Sequence, residues 1–219
     1  MLEWAEIPLS LEQWNENVAS QEQLFSKSKI LPGVADLLRK FANSESPHIC
    51  IALASSAGRK LFDIKTGHIP ELRDAFADEC RVFGDDPEMV GREGKPSPDI
   101  FLLAMSRLNK RFEANGESVV KPQECLVFED SIAGVEAGRR AGMQVVWIPH
   151  PGLAKVCRGR EQEVLMGKIE ENGTPSFPDE DYEHDTPPYE KVLSHDRLAR
   201  MIPSLEGFPY EEYCIKVQE

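Results

Sequence analysis

At 219 residues, with 41% hydrophobic and 29% charged side chains, the chain suits one medium α/β domain with a real core. Its formal net charge of −13 argues against nucleic acid polymers and anionic membranes as partners, because either needs a basic face. An anionic small molecule would have to be held locally by a few placed cations.

Taken in chain order, the start MLEWAEIPLS has neither the basic residues nor the apolar stretch of a signal peptide. No run approaches the ~18 apolar residues of a membrane span. Leu11, Trp14, Val18, Leu24 and Phe25 fall at roughly helical spacing, so residues 1–30 read as helical with no strand. Pro32-Gly33 opens a helix whose buried face is Val34, Leu37, Leu38 and Phe41. The apolar run Ile49 to Ala54 predicts a strand, ended by Ser55-Ser56, and a helix follows around Arg59–Thr66. A short strand near Arg81–Phe83 is broken by Gly84-Asp85-Asp86-Pro87, where the two acids shape a turn. Ser97-Pro98 predicts the next helix start, with Ser97 as its cap and Ile100, Phe101, Ala104 and Leu108 buried.

Leu126–Phe128 predicts a third strand, Ile132–Ala141 a helix ending at Gly142, and Val145–Ile148 a fourth strand containing the core residue Trp147. Residues 158–190 are rich in acids and prolines and read as a solvated, flexible loop. Lys191–Ser194 predicts a last strand, with a helix including Leu198 and Met201 behind it. Continuously apolar strands, each followed by a helix, mean a doubly wound α/β domain with a parallel sheet covered on both faces. The five cysteines, Cys50, Cys80, Cys125, Cys157 and Cys214, are scattered without a CxxC, which favours free thiols in a reducing compartment and a cytoplasmic location. The histidines show no metal-ligand spacing.

Ligands of open parallel sheets bind beyond the carboxyl ends of the strands. There the sequence places Ser55-Ser56 at one helix start, Glu129-Asp130 at another, and Lys95 in a Gly-Lys-Pro turn. Taken singly, each has a plainer explanation: a capping serine, a solvated lysine, an acidic first turn favoured by the helix dipole. Together, at successive elements of one rim, they predict a site for a phosphate and a magnesium ion.

Ala52-Leu53-Ala54-Ser55-Ser56, Gly94-Lys95-Pro96-Ser97-Pro98-Asp99-Ile100-Phe101 and Phe128-Glu129-Asp130-Ser131-Ile132-Ala133-Gly134-Val135-Glu136-Ala137-Gly138 resemble motifs II, III and IV of haloacid dehalogenase (HAD) phosphatases. Phe62-Asp63-Ile64-Lys65-Thr66, Gly84-Asp85-Asp86-Pro87-Glu88 and Cys125-Leu126-Val127-Phe128-Glu129-Asp130 are most similar to the pseudouridine-5′-phosphatase group of that superfamily, and Gly207-Phe208-Pro209-Tyr210-Glu211 also resembles the end of those proteins. The resemblance implies a remnant of a helical cap at 1–30, a HAD Rossmann-like core at 31–157, the acidic loop at 158–190, and a closing strand and helix at 191–219. It implies that Ser55 and Ser56 bind phosphate, that Lys95 neutralises it as a catalytic residue, and that Asp130, with Glu129 as auxiliary, holds Mg²⁺. The substrate it implies is a small phosphorylated metabolite, a sugar or nucleoside phosphate, with pseudouridine 5′-phosphate as the best single guess.

The family's first motif, a strand followed by DxDxT or DxDxV that supplies the nucleophilic aspartate, has no counterpart in these residues. Asp179-Glu180-Asp181 has the spacing, but no strand precedes it and it lies on the wrong side of the other motifs. In the family the missing strand lies between those ending at Ser55 and Glu129, so these two are expected to face a gap. The expectation is an incomplete gene model of a phosphatase. The alternatives are a sugar-phosphate mutase of the same superfamily and a non-catalytic protein that keeps the fold for binding or regulation. A dehalogenase fits less well, since the Glu129-Asp130 pair has no purpose without a phosphate.

Overall fold

The computed structural model describes residues 22–44, 49–167 and 198–217, with positions 10, 12, 13 and 16. Its strands are β1 (Leu53–Ser55), β2 (Arg81–Phe83), β3 (Leu126–Glu129), β4 (Gln144–Trp147) and β5 (Ala199–Met201). The helices are α1 (Glu22–Phe25), α2 (Val34–Ala42), α3 (Arg59–Thr66), α4 (Pro70–Arg73), α5 (Asp99–Ala114), α6 (Ile132–Arg140), α7 (Pro151–Val156) and α8 (Glu161–Met166). Every strand pair is parallel, with Leu53 opposite Arg81, Leu126 opposite Gln144 and Val145 opposite Ala199.

The strands form two sheets, β1-β2 and β3-β4-β5, and among the described residues none joins β1 to β3. Alternation along β4 explains the layers. Val145 and Trp147 pack on one face with Ile100, Leu103 and Ala104 of α5 and Val135 and Ala137 of α6. Val146 and Ile148 pack on the other with Leu37 and Phe41 of α2 and with Ile202, Leu205 and Phe208 beyond β5. Helices thus cover both faces, the doubly wound arrangement. The other sheet is closed by α3, whose Phe62 ring lies 5.2 Å from Phe83 of β2.

Several expectations need correction. The first strand is shorter than the apolar run that predicts it, because β2 offers three residues to pair with; Ile49 and Ile51 pack against the Leu37–Phe41 cluster instead. Ser97 does not cap α5: Pro98 holds that position without a side-chain cap, and the Asp99 carboxylate accepts from the Glu93 amide at 2.9 Å. The acidic segment is not loop from residue 158. Its Val164 and Leu165 join the core through α8, Val164 being 1% exposed. Residues 168–190 and Lys191–Ser194 lie outside the described residues. Met201 is in a strand, not a helix, because Ala199 and Met201 face the core together while β5 pairs with β4.

Within 1–30, Ile7-Pro8-Leu9 and Trp14 lie outside the described residues. Short α1 rests on α3, with Ser28 Oγ donating to Lys65 O at 2.7 Å and Lys65 Nζ over the Phe25 ring. No helix among the described residues is long and apolar enough to cross a membrane.

Candidate active site

The carboxyl ends of β1 and β3 bring the predicted residues to one rim, and Lys95 joins them. Its ammonium donates to Ala54 O of β1 at 3.1 Å, pairs with Glu129 of β3, and lies 4.7 Å above the Phe101 ring of α5. The pair is nearly dry, with side chains 10% and 6% exposed, so neither charge is tolerable there without the other.

Glu129 is held from both sides. While one carboxylate oxygen meets Lys95, Oε2 accepts from Ser131 N at 3.3 Å and from Ser131 Oγ at 3.1 Å. The same Ser131 Oγ caps α6 by accepting from Gly134 N at 3.0 Å. Gly134 is needed for its lack of a side chain, since a Cβ there would lie 2.0 Å from the Glu129 carboxylate carbon. Asp130, next in the chain, is exposed, and its backbone carbonyl accepts from Trp147 Nε1 at 3.1 Å.

Ser55 ends β1, half-buried, with Oγ accepting from Ala57 N at 3.2 Å. Used as an acceptor in this way, the hydroxyl keeps its own proton to donate to an incoming oxygen anion. Ser56 is exposed beside it.

Both Glu129 oxygens are thus engaged, and among the described residues no group of three or more His, Cys, Asp or Glu side chains could hold a metal. Asp130 remains as an exposed carboxylate. One such group fits Mg²⁺, which keeps several waters and draws further oxygens from a substrate phosphate.

Asp86 caps the turn at Pro87–Met89 and pairs with Arg107, which also donates to Arg81 O and to Glu88. Of the described histidines, His68 meets Ser28 O at 2.7 Å, and His150 caps α7 through Gly152 N. Ser131, Phe101 and Trp147 support the site without having been singled out for it. The spacing of Ser131 to Gly134 was a readable capping signal; the Phe101 and Trp147 contacts leave no local sign.

An open parallel fold whose strand ends gather a hydroxyl, a buried lysine and adjacent carboxylates belongs to the α/β proteins that handle phosphate. Residues 4–142 match the haloacid dehalogenase-like hydrolase family, and the chain is a member of it. Several of its relatives are named as phosphatases. A Saccharomyces cerevisiae protein named probable pseudouridine-5′-phosphatase is 37% identical over 78% of this chain and 68% of its own. A Drosophila melanogaster protein of the same name is 37% identical over 82% and 74%. A (DL)-glycerol-3-phosphatase of Arabidopsis thaliana is 39% identical over 75% of this chain and 52% of its own. In fold, the chain is similar to a HAD hydrolase of Entamoeba histolytica, with a TM-score of 0.58 and 17% identity over 97% of this chain and 74% of that one.

Proposed function

We propose that the Ser55–Lys95–Asp130 rim is the phosphoryl site of a Mg²⁺-dependent phosphomonoester hydrolase. Its substrate is a small sugar or nucleoside phosphate, with pseudouridine 5′-phosphate the leading candidate. The observation that carries this reading is the Lys95 ammonium, which ties Ala54 beside Ser55 to Glu129 beside Asp130. Those contacts support grouping Lys95 with Ser55 and Asp130, the neighbours of its two partners in the chain. The 37% identity to the yeast and fly proteins supports the nucleoside phosphate.

In this reading Ser55 Oγ donates to a phosphoryl oxygen, with Ser56 beside it, and Lys95 supplies positive charge to the same group. Asp130 would hold the magnesium ion, with Glu129 its auxiliary through Lys95 and the shared rim. The ion, when bound, neutralises developing charge on phosphoryl oxygens. Glu129 and Ser131 fix Lys95 so that its charge is preorganised rather than reoriented during reaction.

No DxDxT or DxDxV segment is present to supply a nucleophile. The purified 219-residue chain is therefore expected to bind phosphate compounds without hydrolysing them. Calorimetric titration with pseudouridine 5′-phosphate and glycerol 3-phosphate, with and without Mg²⁺, tests the reading. Binding strengthened by Mg²⁺ in the wild type but not in Asp130→Ala is the expected result. Tighter binding of glycerol 3-phosphate would reassign the substrate. Turnover of a generic phosphomonoester, lost on Asp130→Asn, would show that a nucleophile has been overlooked.

A further inference from the structure

Asp85 stands just beyond the carboxyl end of β2, and both of its carboxylate oxygens face the loop that follows Ser55. Oδ1 and Oδ2 lie 3.0 and 3.2 Å from the backbone nitrogen of Arg59, the first residue of α3. An acid 26 residues downstream therefore satisfies an amide that the helix itself leaves unpaired. Gly84 N donates to Ala57 O at 3.2 Å, which stitches the two loops together a second time.

Gly84 is sterically required at this crossing, and Gly58 leaves the space that the Asp85 carboxylate fills. A Cβ on Gly58 would lie 2.5 Å from Asp85 Oδ2, and one on Gly84 would lie 2.3 Å from Ser56 O. Behind Asp85, the loop is anchored to α5, because Arg107 bonds Asp86, Glu88 and the Arg81 carbonyl together. Rigidity thus passes from a long helix, through Asp85, to the stretch Ser55–Arg59.

We infer that Asp85 is a positioning residue for phosphate recognition: it fixes the Ser55–Arg59 loop and, by occupying the amino end of α3, confines the phosphoryl group to the Ser55–Ala57 side. A bare helix start would itself attract the anion. Here the Arg59 amide already carries a carboxylate, and a phosphate placed there would meet a like charge. The loop shape in which Ser55 Oγ accepts from Ala57 N is the shape Asp85 and Gly84 hold. The inference rests on the proposal that Ser55 receives phosphate.

The test uses inorganic phosphate as probe, titrated into the full chain and followed by ³¹P NMR, with thermal unfolding recorded on every variant. Asp85→Ala is expected to weaken phosphate binding about three- to tenfold, the scale of one lost cap. Asp85→Asn, which keeps an acceptor oxygen, should stay within about twofold of wild type. Gly58→Ala approaches the contact from the other side and should weaken phosphate similarly. Joined to Asp85→Ala, it should add little, because both changes break one contact. A lower melting temperature in Asp85→Ala with unchanged phosphate affinity would overturn the inference and leave a purely structural cap. Tighter phosphate binding in that variant would overturn it as well, by showing that the anion belongs at the helix end. If Ser55→Ala binds phosphate as the wild type does, or the wild type takes none, the proposed site fails and the inference falls with it.

Discussion

The β3-β4-β5 sheet and the β1-β2 sheet are held by different forces. In the first, β4 has a strand on each side and apolar layers on both faces, and Val146 and Trp147 are 0% exposed. In the second, all three residues of β1 are only half-buried, and β2 is its one strand partner among the described residues. Long polar side chains tie this second sheet down through backbone groups: Lys95 to Ala54 O, Arg107 to Arg81 O, and Asp85 to the Arg59 amide. Where a sheet ladder ends, its hydrogen-bonding groups still need partners, and charged side chains supply them. Two of these ties, from Lys95 and Asp85, flank the Ser55 loop proposed to bind phosphate. The less regular half of the fold therefore carries Ser55, the proposed phosphate ligand, while the proposed Mg²⁺ carboxylates Glu129 and Asp130 stand at the end of β3 in the other sheet.

The largest effect should come from the apolar half. Trp147→Ala is expected to lower stability by about 4 kcal/mol, the cost of emptying a large core site. Leu53→Ala, on half-buried β1, should cost roughly half as much. Urea unfolding of both variants checks this, and equal losses would erase the distinction between the sheets. Next comes the Lys95–Glu129 pair. Lys95→Met should cost about 3 kcal/mol, because Glu129 is left charged in a dry place with only Ser131 as donor. Adding Glu129→Gln should recover much of that loss. A double variant no more stable than Lys95→Met would mean that burial of the charge is not what matters.

The smallest effect is in the loop behind Asp85. A hydrogen bond from Arg107 holds the Glu88 carboxyl below its ordinary value of 4.5. A group whose folded-state value is depressed stabilises the fold above its unfolded value and loses that contribution as pH falls through the folded one. The difference in melting temperature between wild type and Glu88→Gln should therefore be greatest near neutrality and shrink below pH 4.5. A difference constant down to low pH would mean that Arg107 gains nothing from the Glu88 charge.

Sequence patterns reached some of this directly. The stretch Arg59–Thr66 was readable as the helix that follows the first strand, and Arg81–Phe83 as β2 from the turn signal that ends it. The rim residues were readable because strand ends in such folds converge. The β5 strand was not, since Leu198 and Met201 also match helical spacing. Only pairing with β4 decides between the two periods. Asp85 was legible as a turn residue but not as the cap of a helix far upstream, because no local pattern encodes a partner brought near by folding. The same holds for Phe101 beneath Lys95 and for the α8 core residue Val164, which sits in an otherwise acidic stretch.

Trp147 shows what it means for a core residue to serve two masters. Its ring fills the interior, while its single N–H reaches the carbonyl of Asp130, whose carboxylate faces outward at the rim. A phenylalanine or leucine could keep much of the volume but would leave that carbonyl without its donor. Sequence drift at this position is therefore limited by chemistry at the surface as well as by packing in the interior. A change at this core position therefore also reaches the backbone of a residue at the end of β3.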